Sequence, residues 1–275
     1  MTTHLLMKSS LVLALSVSAA MSFGLALDSA SDAVYTTGAT YLGLNGGSGM
    51  NAWYEGPWGS GGMSITTAAS AIGSRQFSIN GDGVDARRKL DDPLLIGQSL
   101  EFDMMTSSSA TAGRMGVEIR STSPSPNRDM LNINGNLASS PYWRIEGGEG
   151  WGTFIVTAIP VASAVAVTIT VTGADTADVT LAIVGGAGRG ASETHSVNFV
   201  SSGVSPQIMN FFTYDGMNGD YYFNNIQTVP EPASLLALGG LTALMARRRR
   251  KKAVERDQLV EHPDHARRRV ELPAL

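Results

Sequence analysis

The sequence predicts an all-β protein, a two-sheet β-sandwich or jelly roll, and three observations carry that expectation. Strict period-two alternation runs through residues 165–184: Val165, Val167, Ile169 and Val171 share one face, and Val179, Leu181 and Ile183 resume it after a turn at 173–177. No amphipathic helical period occurs between Leu27 and Thr228. Some ten short strand-like runs separated by Gly-, Asn- and Asp-rich turns fill that stretch instead, with no repeat of 20 to 50 residues to suggest a propeller or solenoid.

Taken in order, residues 1–26 read as a signal peptide. Lys8 precedes an apolar run over 11–20, and the small residues Gly24 and Ala26 suit cleavage after Ala26. Residues 28–62 are rich in Gly, Ser and Thr and predict an initial strand followed by long loops. Short β-prone pieces follow at 64–66 and 76–79, closed by the turn Asn80-Gly81-Asp82-Gly83. Leu100, Phe102 and Met104 then alternate with Glu101, Asp103 and Met105, and Val117 and Ile119 with Glu118 and Arg120, as half-buried strands do. Further strands are expected at 131–134, 142–146, 208–214 and 221–226.

Composition excludes several chemistries. Cysteine is absent, which rules out disulfides, thiol catalysis and Cys-ligated metal. His195 is the only histidine between residues 27 and 228, so a site with several imidazoles has no material. That body holds nine basic and eighteen acidic residues, a net charge of −9. Nucleic acid is therefore not an expected partner. Neutral glycans and bound cations are compatible with it.

The C-terminal stretch reads as an address. Val229-Pro230-Glu231-Pro232 is a polar hinge kept out of helix by two prolines; residues 233–246 are almost wholly apolar or small; Arg247, Arg248, Arg249 and Arg250 open a run of six cations ending at Lys252. As a helix the apolar part measures about 21 Å, short of the roughly 30 Å hydrocarbon core unless it extends back to Val229 and the arginines snorkel. On these properties alone a tail anchor and a sorting signal are equally good readings.

The order of these parts resembles the PEP-CTERM sorting signal of Gram-negative and related bacteria. That resemblance implies export, transient membrane anchoring, an exosortase-type processing enzyme as partner, with Pro230, Glu231, Pro232 and Arg247–Arg250 as the recognition elements, and a place at the cell surface or in an extracellular polysaccharide matrix. A polar tail at 253–275, with Arg267-Arg268-Arg269, departs from the family pattern, which normally ends soon after its arginines. The run 97–103, the central hairpin and residues 220–226 are similar to concanavalin A-like jelly-roll domains.

The domain organisation is thus 1–26 signal peptide, 27–228 β-sandwich, 229–252 sorting signal and 253–275 tail. The expected function is a surface or matrix structural or adhesive protein and not an enzyme. The first alternative is a carbohydrate-binding module in which Trp53, Tyr54 and Trp58, from a Gly-rich loop, stack on sugar rings. Trp143 and Trp151 offer weaker cases. Calcium is the one candidate cofactor, through Asp215, Asn218 and Asp220, with Asp82, Asp85, Asp91 and Asp92 as a looser set. The second alternative is a glycoside hydrolase using Glu101 and Asp103, which share one strand face and resemble the opening of the E-x-D-x-x-E signature, although Thr106 stands where its third carboxylate would fall. The glycine run 185–190 lacks the dinucleotide-binding pattern and reads as a hairpin loop, and His195 as structural.

Overall fold

A computed structural model describes residues 25–122, 129–147, 154–185, 188–200 and 205–230. They belong to the compact unit Met21–Pro230. Fourteen strands follow one another there: β1 (Leu27–Asp28), β2 (Gly62–Thr66), β3 (Gln76–Asn80), β4 (Val84–Lys89), β5 (Ser99–Thr106), β6 (Arg114–Arg120), β7 (Asp129–Asn136), β8 (Ser140–Glu146), β9 (Phe154–Pro160), β10 (Ala164–Gly173), β11 (Thr176–Gly185), β12 (Ser192–Asn198), β13 (Ile208–Tyr214) and β14 (Asp220–Val229). They form two antiparallel sheets. One has the order β12-β11-β10-β5-β14-β3-β2 with β1 added beside β14, and the other β4-β13-β6-β7-β8-β9. The expected β-sandwich is what the chain forms.

The alternation in the sequence becomes burial. Leu100, Phe102 and Met104 of β5, Val165, Val167 and Ile169 of β10, and Val117 and Ile119 of β6 all point into one apolar core between the sheets. Phe211 and Phe223, from opposite sheets, stack at its centre with ring centroids 3.9 Å apart. The 165–184 hairpin forms with Val167 opposite Leu181, its turn lying between Gly173 and Thr176.

Three strands went unread in the sequence. In β4, Val-Asp-Ala-Arg-Arg-Lys looks like a charged loop, yet Val84, Ala86 and Arg88 all face the core. Arg88 turns inward because Asp28 meets it there, and neither side chain is exposed. Tyr35 donates to Asp28 at 3.0 Å and Trp53 Nε1 donates to it at 3.1 Å, so the buried carboxylate is fully engaged. The polar β12 is an edge strand, and β9 shows no clean alternation.

The ends of the body shift slightly from expectation. β14 runs through Val229, which pairs with Ser99, so the last strand reaches into the supposed hinge. At the other end Ala26 is buried and exchanges hydrogen bonds of 2.9 Å with Thr228. No helix among the described residues is long and apolar enough to cross a membrane. The helix expected at 233–246, most of the signal peptide and the polar tail lie outside the described residues, as do Glu231, Pro232 and Arg247–Arg250.

Candidate functional site

The outer face of the six-stranded sheet is polar to an unusual depth. Because side chains alternate, the strands that send Ala86, Phe211, Val117 and Ile133 inward send Asp85, Asn210, Glu118 and Asn132 outward. Register then brings them together: Asn210 stands opposite both Arg87 and Glu118, and Asn132 opposite both Glu118 and Glu146. Gly116 lies in the next row between Phe212 and Asn134, where a Cβ would fall 2.1 Å from the Ile133 carbonyl oxygen.

One amide ties two acids. Asn210 Nδ2 donates to Asp85 Oδ1 at 2.8 Å and to Glu118 Oε2 at 2.9 Å. Tyr214 OH also donates to Asp85, and Arg120 pairs with Glu118. Arg87 lies 3.6 Å from Asp85 and 3.2 Å from Glu55, and Arg114 lies 3.2 Å from Glu146. Asn134 Nδ2 donates to Asn132 Oδ1 at 3.2 Å. Among the buried atoms on this floor that have no partner are Asn210 Oδ1 and Asn132 Nδ2. An unmet buried donor or acceptor costs about 1–3 kcal/mol, which makes these atoms unusual in a well-packed protein.

An aromatic rim stands over the floor. Residues 54–58 run beside the free edge of β4 through isolated bridges, Tyr54 to Arg87 and Pro57 to Val84. The Trp58 amide donates to the Gly83 carbonyl at 2.9 Å, and Gly83 holds a left-handed φ of 72° against Gly59. This places the Trp58 ring 5.8 Å from Tyr214, with its Nε1 donating to Asp85 Oδ2 at 3.2 Å, while the side chain stays 67 % exposed. Burial, the hydrogen bond to Asp85 and the nearby Glu118 charge push the Tyr214 phenol well above its ordinary range, so it remains a proton donor. Burial also raises Tyr54, which is half-buried.

The candidate aromatics therefore separate. Trp58 and Tyr54 belong to this rim, whereas Trp53 is 1 % exposed and is a core residue. Its indole packs against Phe77 and Phe223 and under Arg88, out of reach of any sugar. Trp143 is likewise buried, and Trp151 lies outside the described residues.

The candidate calcium loop over 215–220 makes hydrogen bonds of its own. Asn218 Oδ1 accepts from the amides of Thr111 and Ala112 at 3.0 and 3.1 Å, and Asp220 accepts from Tyr222 at 3.0 Å. Asp215, the third member of that set, is exposed and holds a left-handed φ of 59°. Of the looser set, Asp82 accepts from the Gly216 amide at 2.9 Å and Asp85 joins the polar floor. No group of three or more acidic or histidine side chains among the described residues is placed to hold a metal ion. His195 Nε2 sits 3.0 Å from Glu193 on edge strand β12.

Glu101 and Asp103 lie on the outer face of the other sheet, so they are not part of this floor. They line a cavity of about 440 Å³ together with Thr168, Asn225 and Gln227. A β-bulge between Asn224 and Gln227 makes the cavity, with Asn225 at φ 53°. The extra residue returns Ile226 to the core and turns Asn225 outward, where it donates to Asp103 at 2.7 Å. Gln227 donates to Glu101 at 2.8 Å. Burial pushes the Asp103 carboxyl up, opposed by Asn225 and reinforced by Glu101.

Sequence reading missed Glu118, Asn210 and Asn132 as site residues. In β6 and β7 their signal was present as polar residues at alternate positions, but any solvated strand face shows the same pattern, and in β13 Asn210 stands between the apolar Ile208 and Phe212. Burial to 4 %, 0 % and 3 % exposure is what distinguishes them.

No protein-family model matches the chain, and no curated protein does. Solved structures of similar fold include the catalytic domain of a glycoside hydrolase family 131 protein from Coprinopsis cinerea (TM-score 0.43, 11 % identity, covering 66 % of this chain and 84 % of that one). A legume lectin-like domain from Entamoeba histolytica (0.40, 9 %, 57 % and 83 %) and the Ca²⁺-bound exoplasmic/lumenal domain of VIP36 (0.41, 6 %, 64 % and 82 %) are also similar. At these identities and scores the functional argument rests on the chain's own geometry.

Proposed function

We propose that the domain binds carbohydrate on the outer face of its six-stranded sheet, and that the chain is exported to present this face at the cell surface or in a polysaccharide matrix. One observation carries the binding reading: an exposed Trp58 standing over an Asp85–Asn210–Glu118 array. Sugars present hydroxyls that donate and accept at once, beside C–H faces that lie flat on aromatic rings. The half-buried Arg87, Arg114 and Glu146, held in place over this array, meet the first need, and the tryptophan meets the second. Glu118 and Asp85 are close enough for paired acid–base work. Each, however, already accepts from Asn210, with an arginine beside it, an arrangement suited to holding hydroxyls and not to handing over a proton.

The test is titration of the full chain with a panel of soluble polysaccharides, with and without chelator. Trp58→Ala is expected to weaken binding about tenfold or more while the unfolding midpoint stays near that of the parent, and Glu118→Gln to weaken binding with a lowered midpoint, because Arg120 loses its buried carboxylate. Retained affinity in both variants overturns this face as the site, and product release from the polysaccharides overturns binding without hydrolysis.

The export reading rests on the Pro230-Glu231-Pro232 motif and the signal peptide. Its structural support is that β14 ends at Val229, so cleavage within the motif removes no described strand.

A further inference from the structure

Charge is divided between the two sheets. The strands of the eight-stranded sheet contain no lysine or arginine, and its outer face carries Glu101, Asp103 and Asp178. The six-stranded sheet contains Arg87, Arg88, Lys89, Arg114, Arg120 and Arg144. Arg88 is turned into the core, so five cations share the outer face with Asp85, Glu118 and Glu146, while Glu55 lies against Arg87 and Asp129 stands opposite Arg120 in register. Those three carboxylates are matched by Arg87, Arg120 and Arg114. Lys89 and Arg144 are left with no carboxylate partner among the described residues. Arg144 donates to Ser139 Oγ at 2.8 Å and rests on the Phe154 ring at 4.5 Å, which holds its guanidinium in place.

On a body of net charge −9, these two cations without a carboxylate partner stand at the very face that carries the sugar-binding array. Lys89 lies on β4 and Arg144 on β8, four strand spacings apart, and register sets Arg144 level with Asp85, four residues from Lys89, so the two are roughly 23 Å apart. No single sugar ring reaches both. Between them lie two unpartnered amide atoms, Asn210 Oδ1 on β13 and Asn132 Nδ2 on β7.

Resting on the carbohydrate-binding reading above, we propose that the six-stranded face takes an anionic polysaccharide, a chain of carboxylate-bearing sugars lying across the strands from Lys89 to Arg144. The planar guanidinium of Arg144 meets a carboxylate through two parallel hydrogen bonds, a fit that a neutral glycan does not use. The opposite sheet, with carboxylates and no cations, repels the same polymer and restricts it to one face.

The experiment titrates the full chain with a polyuronate, a neutral β-glucan, a sulfated polysaccharide and a single-stranded oligonucleotide, each at low and at moderate salt. Expected results are polyuronate binding about tenfold tighter than the neutral glucan, a several-fold loss as salt rises, and loss of the preference in Lys89→Gln/Arg144→Gln. Asp178→Asn on the other face keeps the preference. Equal affinity for polyuronate and neutral glucan, insensitive to salt, overturns this inference and leaves the carbohydrate reading standing. Absence of binding to any glycan overturns both. Equal or tighter binding of the sulfated polymer overturns the choice of carboxylate, and equal or tighter binding of the oligonucleotide shows that the face selects charge and not sugar. Parent-like unfolding midpoints in the variants assign any loss to binding.

Discussion

Asp28 and Arg88, sixty residues apart in the chain, form an ion pair in the centre of the sandwich with both side chains fully buried. The pair ties the two-residue strand β1, which lies beside β14, to the edge strand β4 of the opposite sheet. Removing one partner strands the other charge away from water. Arg88→Ala is expected to cost about 3–5 kcal/mol at neutral pH, read as a fall in the urea midpoint with unchanged slope. A cost under about 1 kcal/mol would show that water reaches Asp28.

The same carboxylate has a pH signature. Burial pushes Asp28 up to about 6, against the opposing pull of Arg88 and of the Tyr35 and Trp53 hydrogen bonds. A folded-state value above the unfolded one means that the folded protein holds this proton more tightly. The resulting stabilisation is complete below the ordinary carboxylate range and is lost as pH rises through about 6. Carbon-13 NMR titration of the Asp28 carboxyl is expected to show a midpoint near 6. A midpoint below 4 would mean that the ion pair outweighs desolvation.

Trp53 and Trp58 make opposite predictions although both come from one glycine-rich loop. Trp53→Ala removes a core indole and its bond to Asp28 and is expected to cost about 3–5 kcal/mol of stability. Trp58→Ala is expected to cost about 1 kcal/mol or less, since its ring is mostly exposed, and to act on glycan binding instead. Urea denaturation of the two variants checks the pair.

Gly116→Ala probes the floor itself. The added methyl meets the Ile133 carbonyl oxygen and lies 2.8 Å from Asn134 Cα, so β6 and β7 must part at the point where the polar rows cross. We expect a loss of about 1–3 kcal/mol and weakened binding together. Unchanged stability would show that the strands shift freely.

The mature termini provide a fifth measurement. Ala26 is buried and bonded to Thr228, so cleavage after Gly24, preceded by the small Ser22, keeps a contact that cleavage after Ala26 destroys. Intact mass of the exported protein is expected to place the N-terminus at Leu25 and the C-terminus near Pro232. A chain ending at Leu275 would replace sorting with a simple tail anchor.

How much was readable in the sequence depends on how local each feature is. Alternation in β5, β10 and β11 is a property of a few consecutive residues, and it specified the fold class and the faces of those strands. The expected export signal and the Pro-Glu-Pro motif are local in the same sense. The strand β4 was hidden because its inward arginine makes sense only beside Asp28.

The proposed binding face is a product of tertiary structure alone. Asn210 lies 125 residues from Asp85 and 92 from Glu118, and only the β4-β13-β6 register brings one amide between two carboxylates. The same holds for Trp53 and Trp58, because the loop's path along the edge of β4 decides which ring enters the core. Sequence alone determined a β-sandwich of acidic character carrying an apparent address. Long-range pairing decided which polar residues share a floor, since neighbours across a sheet leave no mark on the spacing of residues along the chain.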